Sequence, residues 1–166
     1  KQASDLIGEK MMAHPIKQMP YEPLGDLRIE FVGHNDVSNY RRDLDLETAI
    51  ATVSYTVGRV NYSREVFASP VDQVIAFHVT ADKPHQINFV ASFTTPQKAT
   101  VNTESNEMLV LDGENGEAFG IKGALRFQAR ARIITDGAQS VAEDGKIQVS
   151  NANAALILIA AATSYR

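Results

Sequence analysis

The stretch Ala51-Thr52-Val53-Ser54-Tyr55-Thr56-Val57-Gly58-Arg59-Val60-Asn61-Tyr62-Ser63-Arg64-Glu65-Val66-Phe67 decides the architecture. Ala51, Val53, Tyr55 and Val57 alternate with Thr52, Ser54 and Thr56. An extended chain therefore carries apolar groups on one face and hydroxyls on the other. Gly58-Arg59 suits a two-residue turn with the glycine at positive φ. The returning strand places Val60, Tyr62, Arg64 and Val66 in phase and Phe67 out of phase, which predicts a bulge near Glu65. A β-hairpin over residues 49–69 follows.

Working outward, the same period recurs between turn signals. Residues 74–81 set Ile75, Phe77 and Val79 on one face before Asp82-Lys83-Pro84 interrupts them. Residues 87–93 do the same with Ile87, Phe89, Ala91 and Phe93. Shorter strands are expected at 27–31, where Gly25-Asp26 suits the turn feeding them, and at 99–102, 108–111 and 146–150. In residues 125–133, Leu125, Phe127, Ala129, Ala131 and Ile133 alternate with Arg126, Gln128, Arg130 and Arg132. Residues 154–162 are apolar on both faces, as a central strand would be. Upstream, Ala3, Leu6, Ile7, Lys10 and Met11 follow helical spacing, with Ser4 or Asp5 at the amino end. His14-Pro15 stops that helix, and an extended loop continues to Pro23. The pattern defines an all-β antiparallel sandwich with a short N-terminal helix.

Composition narrows the function. The 166 residues include 16 Lys and Arg against 20 Asp and Glu, and no Cys or Trp. A mildly acidic chain lacks the basic footprint of a nucleic-acid binder and offers no polybasic membrane patch. The apolar run 154–162 is far too short to span a bilayer as a helix. Without cysteine there is no disulfide, thiol nucleophile or Cys-type zinc site. For 166 residues, area scaling predicts about 8,000 Å² of folded surface, with roughly two-thirds of the unfolded surface buried.

Catalytic signatures are missing. The chain contains no Gly-x-Ser-x-Gly elbow, phosphate loop, Gly-x-Gly-x-x-Gly or His-Glu-x-x-His. His14, His34, His78 and His85 share no ligand spacing. His78 reads as a structural histidine within a strand and the other three as solvated loop residues. Asp43, Asp45 and Glu47 form the densest acidic cluster. With Arg41 and Arg42 beside them, internal ion pairing is favoured over a cation site. The Arg126, Arg130 and Arg132 stripe is a solvated sheet face in the plainer reading and a docking surface for an acidic partner in the sharper one. These residues define no self-contained active site.

Four ordered blocks carry a resemblance. They are Met19-Pro20-Tyr21-Glu22-Pro23-Leu24-Gly25-Asp26-Leu27, Tyr40-Arg41-Arg42-Asp43-Leu44-Asp45-Leu46, Arg64-Glu65-Val66-Phe67-Ala68-Ser69 and Ala160-Ala161-Ala162-Thr163-Ser164-Tyr165. Over nearly the whole chain this pattern resembles the N-terminal sandwich domain of glycoside hydrolase family 95, the bacterial and plant α-L-fucosidases. The resemblance implies an incomplete sandwich of the super-sandwich type, with further strands before the helix and an (α/α)6 barrel after residue 166. It implies a parent that releases α-1,2-linked L-fucose from glycans by inversion, in a periplasmic or extracellular setting. The family's acid and water-activating groups belong to the barrel, so no catalytic, metal or cofactor residue is carried over. The expected partners are that barrel and, through the parent, a fucosylated glycan. Nucleic acid and membrane are not expected partners. Tyr21, Asp26, Tyr40, Arg41, Arg42 and Asp43 are the interdomain or sugar-rim candidates, with folding or docking preferred over sugar contact. The alternatives are a carbohydrate-binding module for fucosylated glycans and a protein-interaction sandwich.

Overall fold

The computed structural model of the chain describes residues 2–12 and 21–165. A short helix, α1 (Gln2–Lys10), precedes twelve strands. They are β1 (Asp26–Phe31), β2 (Val37–Asp45), β3 (Ile50–Val57), β4 (Val60–Ser69), β5 (Val74–Ala81) and β6 (Ile87–Thr94). Then follow β7 (Lys98–Ser105), β8 (Met108–Glu114), β9 (Arg126–Asp136), β10 (Ser140–Glu143), β11 (Lys146–Ala152) and β12 (Ala154–Thr163). Every pairing is antiparallel. One sheet has four strands in the order β1-β6-β11-β10, and the other has eight in the order β2-β3-β4-β5-β12-β9-β8-β7. The all-β sandwich with one short N-terminal helix is thus the observed fold.

The core forms where alternating residues of the two sheets face each other. Ile87, Phe89 and Ala91 of β6, with Ile147 and Val149 of β11, meet Leu109 and Leu111 of β8, Ala129, Ala131 and Ile133 of β9 and Ile157 of β12. All of these are essentially inaccessible to solvent. Each large member contributes about 1.5–3 kcal/mol on burial. Gly113 belongs to the same surface. A Cβ there would fall inside van der Waals distance of the Phe127 ring and 2.9 Å from Ala99, so only glycine lets that ring lie flat across β8. As expected of a central strand, β12 lies between β5 and β9.

The hairpin closes as its sequence implies. Val57 pairs with Val60 across Gly58-Arg59, and Gly58 has φ of 60°. Positive φ at the first central residue but not the second is the II′ pattern, whose twist matches the flanking strands. The expected bulge at Glu65 is absent. Pairing runs unbroken from Val60 to Val66 against β3 and from Tyr62 to Ser69 against β5. Phe67 does not shift the phase; it simply occupies the outer face, where it is partly exposed. The irregularities lie elsewhere, between Ser38 and Arg41, Thr103 and Ser105, and Val149 and Ala152.

Other boundaries also move. The sequence pattern marks neither β2 nor β10 as a separate strand, and β7, β8 and β9 run longer than their apolar runs. Helix α1 begins at Gln2, which leaves Ser4 and Asp5 inside its first turn instead of at the cap. The His14-Pro15 stop and the loop from 13 to 20 lie outside the described residues. Four strands cannot cover eight, and all nine residues of β2 are exposed.

Candidate functional site

The candidates from the sequence fall into two groups. Tyr40, Arg41, Arg42 and Asp43 lie together on β2, one of the two edge strands of the large sheet. Asn39, at φ of 52°, marks the irregularity that reverses which residues face inward. Beyond it, Arg42 and Leu44 stand opposite Val53 and Ala51, which share the core-facing side of β3 with Tyr55. The Arg42 guanidinium is 6.0 Å from the Tyr40 ring centroid, at the outer limit of cation–π contact. On the opposite face, Arg41 donates Nε to Asp43 Oδ2 at 2.6 Å and Nη2 to Oδ1 at 2.7 Å. This fork geometry holds the Asp43 carboxyl below its usual range, the hydrogen bond from Arg41 being the main cause.

Ion pairing therefore accounts for part of the acidic cluster. Asp45 does something different. Its Oδ1 accepts the backbone N–H groups of Glu47 and Thr48 at 2.9 and 3.4 Å, which fixes the turn into β3 and lowers its own pKa. Glu47 thus belongs to the turn and not to an extended row with Asp43 and Asp45. Tyr21 is fully exposed, and Asp26 opens β1 on the other sheet, opposite Thr94. No hydrogen bond or ion pair among the described residues joins these two to the β2 group.

Sequence reasoning missed a second cluster, at the point where the chain passes from β1 to β2. Arg64 occupies a core-facing position of β4, between Tyr62 and Val66. Its guanidinium lies 3.8 Å from the Phe31 ring centroid and 4.6 Å from that of Tyr55. Nη2 donates to the Tyr55 hydroxyl. That hydroxyl is 2.9 Å from His34 Nδ1, so using each group once makes Tyr55 donate to Nδ1 and leaves the imidazole proton on Nε2. His34 also packs 4.4 Å from Tyr62, centroid to centroid, and Tyr55 and Tyr62 stack at 5.2 Å.

His34 is therefore a packed and hydrogen-bonded residue, and the expectation of a solvated loop histidine is corrected. Burial, and secondarily the positive charge of Arg64, lower its pKa. Burial likewise raises the Tyr55 hydroxyl, although Arg64 opposes this. Arg64 Nε is enclosed and has no hydrogen-bond partner among the described residues. Stacking on two rings offsets that loss. One signal in the sequence could have revealed the cluster: Arg64 stands in an otherwise apolar alternation.

The arginine stripe on β9 is paired within the sheet. Arg130 bonds Glu104, while Arg132 and Arg126 lie 3.8 and 3.9 Å from Glu107 and Glu114. Three carboxylates match three guanidinium groups, so the stripe presents no uncompensated positive field to an acidic partner. His78 stands opposite Glu65 across the β4–β5 pair, 3.9 Å from its Oε2. Among the described residues no group of three or more His, Asp or Glu side chains converges as a metal site.

Fold and site together define an antiparallel β-sandwich domain whose polar groups lie on open sheet faces and strand edges. The family model for "Glycosyl hydrolase family 65, N-terminal domain" matches residues 1–166, and the chain belongs to that family. Two curated proteins are similar to it in sequence. "Alpha-L-fucosidase 2" of Arabidopsis thaliana is 33% identical over 168 residues, which cover 87% of this chain and 20% of that protein. "Probable alpha-fucosidase A" of Aspergillus niger is 23% identical over 125 residues, 74% of this chain and 15% of that protein. The chain thus spans about a fifth or less of the relatives it matches. The N-terminal domain of a glycoside hydrolase related to α-fucosidases is established; the matching model carries the number 65, not 95.

Proposed function

We propose that this chain is the non-catalytic sandwich domain of a family-95-type α-L-fucosidase, whose parent releases terminal α-1,2-linked L-fucose outside the cytoplasm. The carrying observation is the 33% identity to a plant protein named as an α-L-fucosidase, confined to a fifth of that protein's length. Catalysis then belongs to the (α/α)6 barrel in the remainder of the parent, and this domain supports it. Two features favour the supporting role. Arg41 and Asp43 are already paired to each other, which suits a preformed docking edge. Val37, Tyr40, Leu44 and Leu46 are also exposed on or beside β2, where a neighbouring domain would bury them.

The test compares the parent enzyme, the parent lacking residues 1–166 and this chain alone, each incubated with 2′-fucosyllactose. Fucose release by the parent, its loss on deletion and none from the chain alone are expected. Tyr40→Ala with Leu44→Asp in the parent should lower its thermal midpoint while leaving the midpoint of the chain alone unchanged. Fucose release by the purified chain would overturn the proposal.

A further inference from the structure

A trough of about 790 Å³ crosses the end of the eight-stranded sheet, over β7, β8, β9 and β12. Its volume lies in the range of small-ligand sites, roughly 300–1,000 Å³. Strand alternation assigns its face. Ala99 and Phe127 point to the core, so Lys98, Glu114 and Arg126 form one wall on the outer face, and Thr100, Asp112 and Gln128 the other. Ala162 extends the second row beside Gln128, and the backbone around Gly113 forms the floor between the two rows.

Three properties of the trough bear on its ligand. Lys98 and Arg126 balance Asp112 and Glu114 in charge, so the lining carries no net field that favours an ion of either sign. The second wall is already organised. Gln128 Nε2 donates to Asp112 Oδ1 at 2.6 Å, and Arg130 Nε donates to Gln128 Oε1 at 2.8 Å, with Arg130 itself held by Glu104. This fixes the amide orientation and leaves Asp112 Oδ2 and a second Gln128 N–H unused by the network, as an acceptor and donor side by side. Ordering such groups before binding removes part of the entropy that would otherwise oppose it. Adjacent donors and acceptors match vicinal hydroxyls, and the small residues Gly113 and Ala162 leave room beside them for a sugar's C–H face.

We propose that this trough binds a neutral oligosaccharide, away from β2 and from the Arg64 cluster. The choice of sugar rests on the α-fucosidase reading above; the geometry of the trough does not. With open walls and no aromatic platform, binding should be weak, with Kd on the order of 1 mM.

The test is an amide-shift titration of the isotopically labelled chain with 2′-fucosyllactose and, separately, the anionic 3′-sialyllactose. Saturable shifts at Thr100, Gly113, Gln128 and Ala162 are expected. Gln128→Ala should weaken them at least tenfold while amides outside the trough keep their wild-type positions. Lys146→Gln, on the other sheet, should leave the affinity unchanged. Absence of saturation, shifts mapping elsewhere, no change in Gln128→Ala or tighter binding of the anionic sugar would each overturn the proposal. The parent's fucose release separates the two readings. A fucose-releasing parent with a silent trough sinks this inference alone, whereas a binding trough in a parent without that activity sinks the functional reading alone.

Discussion

The two ends of the large sheet solve the same problem differently. At the β12–β9–β8 end the four-stranded sheet lies over the apolar rows, and Phe89, Ile133 and Leu109 are fully buried. At the β2–β4 end the cover comes from Phe31, the last residue of β1, and from His34 just beyond it. There the chain places Tyr55 and Tyr62 beneath Phe31 and His34, with a guanidinium as the filling. Closed packing needs apolar volume alone. A half-covered face near water can admit a cation, because rings shield its faces while its edge finds a hydroxyl.

The largest effect expected from this contrast is at the closed end. Phe89→Ala should cost about 3–5 kcal/mol through lost transfer energy and a cavity, whereas Leu44→Ala on β2 should cost less than about 0.5 kcal/mol. Urea unfolding of both variants would break the contrast if the two losses were similar. Next comes the cation. Arg64→Ala should destabilise by about 1–3 kcal/mol, since it removes the stacking and the bond to Tyr55. Arg64→Lys should recover under half of this, because an ammonium cannot stack as a plane against the two rings. Full recovery in the same unfolding assay would mean that charge alone matters.

His34 sharpens the comparison through pH. Its lowered pKa means that the folded chain binds fewer protons at this site than the unfolded one. Its contribution is therefore complete above the ordinary histidine value of about 6.5 and declines as pH falls below it, until the depressed folded value is passed. The urea midpoint of wild type should drop further between pH 7.5 and 5.5 than that of His34→Gln; equal drops would remove His34 from the account. The smallest effect belongs to the β2 edge. Asp43→Asn should leave the thermal midpoint of the isolated chain within error of wild type, because the Arg41–Asp43 pair is solvent-exposed. A measurable loss would show that this end is held more tightly than its exposure implies.

Most strands were legible because a half-buried strand writes its two faces into alternate residues, as in β3, β6 and β9. Strand β2 was not, since neither of its faces is covered and its irregularity at Asn39 breaks the period. Strand β10, with four residues, is too short to establish one. Phe67 misled for the opposite reason: an apolar residue on an outer face looks like a phase change when faces are inferred from hydrophobicity alone. For the site, neighbouring residues such as Arg41 and Asp43 could be paired from the chain itself. Phe31 and His34 come from one stretch and Tyr55 and Arg64 from the hairpin, and the packing that unites the two is tertiary.

The irregularities on the outermost strands have a consequence for how the molecule behaves among its own copies. Strands β2 and β7 end the eight-stranded sheet, and each departs from regular pairing, near Asn39 and near Glu104. A straight edge would be a template on which a second chain could add strand by strand, towards fibrils. A kinked edge mismatches an incoming ladder within a few residues. Charged Arg41, Asp43 and Lys98 must also be desolvated for it to seat. Strand addition to the eight-stranded sheet therefore requires its edge to straighten first.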